Sequence, residues 1–210
     1  MNLSDVRLGF TFSAGLIDYA LNYTRAGNPA WLHARGLPDS AESFIRKHCE
    51  AFLDGAERLG YHQSPRIPVL VDWNTGNFSV GFDRDGFKLY SRWDYDWFRV
   101  EPRTLDFYFC ARVVRSEGDQ TLFSYTAEPL FEARYIEFLK AYHQDYPLTE
   151  HELLFLGEAY RFFILNYVLL SGEHFFRSSI HQRLQKEAIE TYLPALDKLD
   201  FRRLVDAVLR

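Results

Sequence analysis

Cysteine is nearly absent. Two residues, Cys49 and Cys110, occur in 210, too few for a disulfide scaffold and without the second pair that a zinc site of paired cysteines needs, so a reducing cytoplasm is the expected compartment. Glycine and proline are scarce as well, 12 and 8, which excludes collagen-like and low-complexity disordered chains. Basic residues do not dominate. With 24 Lys plus Arg against 29 Asp plus Glu the formal charge is −5, and without clustered cations nucleic acid is not an expected partner. Long apolar runs are also missing: the longest uncharged stretch, residues 162–172, is well short of the ~18 residues needed to cross a bilayer. The first residues, Met-Asn-Leu-Ser-Asp-Val-Arg, have no basic region ahead of an apolar one, so neither a signal peptide nor a membrane partner is expected.

What the chain does have is apolar and aromatic mass. Hydrophobic residues make up 47%, and 19 Phe, 13 Tyr and 4 Trp bring the aromatic share to 17%, enough for a substantial core. No repeat, low-complexity segment or linker interrupts it, so residues 1–210 are expected to form one domain in three parts: 1–38 helical, 39–103 a helix plus a small sheet, and 104–210 a helical bundle.

Three patterns set that architecture. Ile45, Cys49, Phe52, Leu53, Ala56 and Leu59 recur at steps of three and four, the apolar face of a helix opened by Asp39 and Glu42 as a capping pair and closed near Gly60. Cys49, on that face, is expected to be buried and inert. The period then changes: apolar or β-branched runs at 67–71, 77–80 and 87–90 are separated by glycine-containing turns, with Asp83-Arg84-Asp85-Gly86 supplying hairpin chemistry, so a small antiparallel sheet is predicted. From about Thr104 onward the reading is helical. Residues 105–114 come first, then a stripe of Phe131, Tyr135, Phe138, Leu139 and Tyr142, and then a capping box at Thr149 and Glu152. Residues 162–170 are apolar on all sides and belong at the bundle centre. Helices over 173–192 and 200–209 pack around it, and the first 25 residues hold at least one more aromatic-rich helix. The fold class is α+β, mostly helical.

The chemistry sits in Val69-Leu70-Val71-Asp72-Trp73-Asn74-Thr75-Gly76-Asn77, a strand ending in an acid with an Asn five residues on. A hairpin later, Tyr90-Ser91-Arg92-Trp93-Asp94-Tyr95-Asp96-Trp97 again ends in acid. Two strand ends can then present two carboxylates and an amide to one point. Phosphoryl transfer needs such a set, one carboxylate orienting the attacking hydroxyl while an amide oxygen and a second carboxylate hold Mg²⁺. The bland alternative is a polar loop capping its own backbone at Asp72 and Asn77, and a solvated strand end, or a salt bridge to Arg92 or Arg99, at Asp94 and Asp96.

These residues resemble the aminoglycoside phosphotransferase and choline kinase-like small-molecule kinases, whose fold is that of protein kinases and whose catalytic loop reads H-x-D-x-x-x-G-N. Asp72, Gly76 and Asn77 match from the Asp onward, Asp94 matches the metal-binding Asp, and Asp106 stands twelve residues further on, where the family has an Asp that braces the loop. The resemblance spans roughly residues 39–192 in element order, with its identities confined to a stretch of about 35 residues. It implies a kinase-like C-terminal lobe with Asp72 catalytic, Asn77 and Asp94 holding Mg²⁺ and so binding ATP or another nucleoside triphosphate, and Asp106 and Gly76 supporting the loop. The substrate would be a small-molecule hydroxyl. Asp96, with Glu101 and Glu173, would favour a cationic one. Two positions depart from the pattern: the family's His two residues before the catalytic Asp is Leu70, and the first 66 residues show no Gly-rich hairpin or strand-borne Lys. The nucleotide lobe is therefore expected from a second chain or an upstream coding segment, and the lone chain is expected to self-associate or bind a partner. A pseudokinase or binding module that kept the pocket is the alternative function.

Other motifs are near misses. Residues 81–88 have P-loop glycine spacing without the Gly-Lys-Ser/Thr ending, and His151-Glu152 lacks the second His of a zinc protease, Phe155 standing in its place. The cluster Trp93, Tyr95, Trp97, Phe98, Tyr108 and Phe109 reads as core, and His174 with His181 as a surface pair.

Overall fold

A computed structural model describes residues 37, 41–95, 98–113, 124–170, 172 and 175–210. The predicted cap residue Asp39, the N-terminal helix, Asp96, Trp97, Glu173 and His174 lie outside them. Among the described residues the chain is α+β and mostly helical, with two small antiparallel sheets. No described helix is long and apolar enough to cross a membrane.

Helix α1 (Ala41–Arg58) buries Ile45, Cys49, Phe52 and Ala56, the face that the spacing predicts. Burial raises the Cys49 thiol to about 12, so it stays protonated and unreactive at neutral pH. The helix stops where Gly60 takes φ 71, a left-handed position that glycine adopts without Cβ strain. Close packing against α4 (Glu150–Phe163) comes from Gly55, since a Cβ there would sit 2.6 Å from the Glu158 side chain.

Four strands follow: β1 (Arg66–Val69), β2 (Phe78–Asp83), β3 (Gly86–Arg92) and β4 (Arg99–Pro102). Instead of one sheet they make two, β1 with β4 and β2 with β3, both antiparallel. In the first, Ile67 opposes Glu101 and Val69 opposes Arg99. Its join is pinned by Glu101, which is buried and accepts from Tyr61 Oη at 2.8 Å and Arg66 Nη1 at 2.5 Å. Glu101 is thus a structural anion and not a surface acid awaiting a cationic substrate. In the hairpin, Val80 opposes Leu89 and Phe82 opposes Phe87, with a bulge between Ser79 and Val80.

The helical part runs α2 (Thr104–Val113), α3 (Ala133–Asp145), α4, α5 (Ser178–Glu187), the short α6 (Leu193–Leu196) and α7 (Arg202–Leu209). The Thr149–Glu152 capping box opens α4 with both of its hydrogen bonds formed. Past Phe163 the helix widens to i→i+5 bonding over Ile164–Leu170. This apolar segment lies at the centre, where Ile164, Leu165, Val168 and Leu169 are all buried. His181 is buried too, its Nε2 3.0 Å from the Val168 carbonyl, so it belongs to the core and not to a surface pair.

One charged cluster is buried in the bundle. Arg161 donates from Nη1 to Asp197 Oδ1 at 2.8 Å and to His48 Nδ1 at 2.6 Å, and from Nε to Glu158 at 2.9 Å. Accepting from Arg161 requires a neutral His48 with its proton on Nε2. Burial, then the charges of Arg161 and Lys47, outweigh Asp197 and lower His48 to about 4. A depressed folded value contributes stability above the unfolded pKa near 6.5 and loses it as pH falls toward 4, on the order of 3 kcal/mol in full. Asp197 acts in the same direction: burial raises it, but the bond and charge of Arg161 outweigh this and leave it lowered. Urea titrations at pH 7 and pH 4.5 should therefore show a clear loss in acid, and His48→Gln, which keeps an acceptor for Arg161 but cannot charge, should flatten that slope.

Candidate active site at the Asp72 loop

β1 ends at Val69 because the next two amides turn away from the ladder. Leu70 N and Val71 N both donate to Asp106 Oδ1 at 2.8 Å, and Asp72 N closes a three-residue turn on the Leu70 carbonyl at 2.7 Å. Val71, at the centre of that turn, has φ 61. A β-branched residue there stores strain of order 1–3 kcal/mol, so the bend persists only because Asp106 holds both amides. Asp106 stands in the first turn of α2. Burial raises its pKa, opposed by the Val71 and Leu70 amides, the Trp73 indole and the Arg92 charge, although Trp73 Nε1 makes no hydrogen bond of normal geometry.

From this bend the loop closes on itself. Asp72 Oδ1 accepts from Asn74 N at 3.1 Å and Oδ2 from Asn77 Nδ2 at 3.1 Å. Asn74 Oδ1 accepts from Gly76 N at 2.9 Å, and Asn77 N donates to the Asn74 carbonyl at 2.9 Å. Gly76 contributes its amide and its size, since a Cβ there would lie 3.3 Å from Asn74 Oδ1. With Nδ2 on Asp72, buried Asn77 keeps its Oδ1 lone pairs for another partner.

Asp94 reaches the same end of the hairpin through the backbone. Trp93 N donates to the Asn77 carbonyl at 3.0 Å, so Asp94 is the next residue along from that bond. It takes φ 63, which Asp tolerates better than most residues, and its side chain is exposed. Asp72 and Asn77 are thus in direct contact, with Asp94 joined to them by main chain. The cation Arg92 is spent elsewhere, donating from Nη2 to the Asp72 carbonyl at 2.6 Å. Its guanidinium carbon lies 5.9, 5.6 and 5.0 Å from the ring centres of Trp73, Phe78 and Tyr95. From the sequence Arg92 is expected only as an ion-pair partner at a strand end; its place among aromatic residues is the signal for the clamp.

The aromatic cluster divides. Tyr108 is buried and Phe109 partly so, but Trp93 is 49% exposed and Tyr95 53%, with Phe98 also exposed, so these three are a surface beside Asp94 and not core. A cavity of about 770 Å³ lies at the far end of β1 against Ile67, Pro102, Tyr142 and Tyr146, and none of Asp72, Asn77 or Asp94 borders it.

No group of three or more His, Cys, Asp or Glu side chains able to hold a metal occurs among the described residues. The Asp72 loop offers a different donor set, one amide oxygen and one carboxylate. Hard oxygen ligands of that kind, few in number, suit Mg²⁺ bound jointly with phosphate, and no thiolate or imidazole is present to select a softer metal. No family model, no curated protein and no solved structure matches this chain. Function must therefore be argued from the loop's own chemistry.

Proposed function

We propose that the chain is the catalytic lobe of a phosphotransferase of the aminoglycoside phosphotransferase and choline kinase-like type, transferring phosphate from a nucleoside triphosphate to a hydroxyl of a small molecule, with the nucleotide lobe supplied from elsewhere. One observation carries the reading: the loop holding Asp72 and Asn77 in contact is suspended by two amides from Asp106. That brace sits at the sequence offset which, in the resembled family, marks the residue supporting the catalytic loop.

In this reading Asp72 faces the acceptor. Both of its oxygens are oriented by donors, Asn74 N and Asn77 Nδ2, and each keeps a lone pair with which to align a hydroxyl and receive its proton. Asn77 Oδ1 and Asp94 would hold Mg²⁺, which with the nucleotide supplies the transferable phosphoryl group and neutralises its charge. Trp93 and Tyr95 offer flat faces beside Asp94 on which a ring or alkyl part of the acceptor could rest.

The test, run on the purified chain and on the chain with its copurifying partner, is transfer of label from γ-labelled Mg-ATP to a panel of amino alcohols, aminocyclitols and simple polyols. The expected outcome is phosphorylation of at least one class, abolished by removing Mg²⁺ and reduced at least tenfold by Asn77→Ala. Nucleotide binding with no transfer to any acceptor or to water would overturn the enzyme and mark a binding module instead.

A further inference from the structure

The His that braces the loop in the resembled family is Leu70 here, which has no polar side-chain atom, and the structure supplies a cation from the other strand. Arg92 is the last residue of β3, two before Asp94. It meets the loop, both strands of the hairpin and the residue after Asp94. Nη2 donates to the carbonyl of Asp72 itself, the plane is flanked by Trp73 of the loop, Phe78 of β2 and Tyr95 beyond Asp94, and its charge acts on Asp106. Trp73 and Phe78 stack on each other at 5.8 Å and 21°, so the clamp is itself a packed unit.

Arg92 Nε and Nη1 are also buried, without hydrogen-bond partners. Dehydrating two guanidinium nitrogens for a surface ornament would be costly. The cost is offset where the guanidinium lies over aromatic faces and near the Asp106 carboxylate, as it does here. A guanidinium is suited to this place because it can stack flat and donate in its plane at once, which an ammonium cannot.

We propose that Arg92 is the positioning residue of the Asp72 loop: by donating to the Asp72 carbonyl from an aromatic clamp, it sets where the Asp72 carboxylate stands relative to Asn77 and Asp94. Its effect on rate rests on the phosphotransferase reading; its effect on loop geometry does not. Arg92 touches no reacting atom and acts only through Asp72. Misplacing a catalytic group by about 1 Å can cost on the order of a hundredfold in rate.

The experiment compares Arg92→Met, which keeps an apolar stem in the clamp, with Arg92→Lys, which restores a donor. Hydrogen exchange at the amides of residues 70, 71 and 77 is read against exchange in α4, and kcat and KM are read with Mg-ATP and the best acceptor. Arg92→Met should speed loop exchange about tenfold or more while leaving α4 unchanged, and should lower kcat about a hundredfold with KM within about threefold. Arg92→Lys should recover part of both losses. Loop exchange at the wild-type rate in Arg92→Met, or equal acceleration in loop and α4, would overturn the proposal, the second by showing general support only. If the wild-type chain transfers no phosphate while loop exchange responds as expected, the phosphotransferase reading fails and Arg92's hold on the loop stands.

Discussion

Asp106→Ala should destabilise the protein by about 2–6 kcal/mol, because it strands the amides of Leu70 and Val71, each costing about 1–3 kcal/mol when buried without an acceptor. Both amides bond the same oxygen, so nothing nearby takes over when it is removed. Val71 would also lose the restraint that keeps it at φ 61, and the loop should relax toward ordinary extended backbone, carrying Asp72 away from Asn77. Asp106→Asn should fall between wild type and Ala: its Oδ1 still accepts from both amides, but its Nδ2 turns a donor toward Arg92 and the Trp73 indole. The pH dependence follows from the raised Asp106 value. A group raised in the fold contributes most at low pH and loses that contribution as pH rises through its folded value, so the gap between Asp106→Ala and wild type should narrow from acid to neutral pH. Urea unfolding followed by far-ultraviolet circular dichroism at pH 4 and pH 7 measures both effects. An Ala variant within 0.5 kcal/mol of wild type would mean the two amides find other acceptors.

Asp72→Asn should abolish phosphate transfer, with a loss of about 10²–10⁴ or more in kcat, while stability stays within about 1 kcal/mol, as expected for a half-exposed loop position. The asymmetry comes from geometry. The Asp72 carboxylate is bonded only within its own loop, to Asn74 and Asn77, and supports no buried element. The substitution acts twice on the chemistry. It removes the proton acceptor, and it sets two side-chain NH₂ groups face to face, which the Asn77 amide relieves by flipping its Oδ1 toward residue 72. The oxygen assigned to the metal is then turned away, so Mg²⁺ dependence should weaken along with rate. Asp72→Ser removes the carboxylate without that clash and separates the two effects. If Asp72→Asn kept more than about a tenth of wild-type kcat, Asp72 would not be the group that handles the hydroxyl.

Whatever depends on neighbours a few residues away was legible before any coordinates. The apolar stripe of α1, its stop at Gly60, the β2–β3 hairpin around Asp85-Gly86 and the Thr149–Glu152 capping box are each encoded within one or two turns of chain, where side-chain period and local hydrogen bonds decide the outcome. The spacing of Asp72, Gly76, Asn77, Asp94 and Asp106 was legible too, and with it the expectation that Asp106 supports the loop. What the sequence could not announce was pairing across long separations. In β4, Arg99-Val100-Glu101-Pro102, the polar–apolar alternation runs against the burial, Val100 being exposed and Glu101 buried; the strand exists because β1 lies opposite, which is why one predicted sheet became two. The same holds for single side chains. Glu101 and His181 carry no sign of burial in their sequence neighbours, and Arg92 only the aromatic residues beside it; each is a structural group because residues 35, 13 and 20 positions away meet it in space. Local chemistry thus determined which elements form and which residues could do chemistry. Only the tertiary structure decided which polar groups are removed from water, because that depends on what the folded chain brings against them.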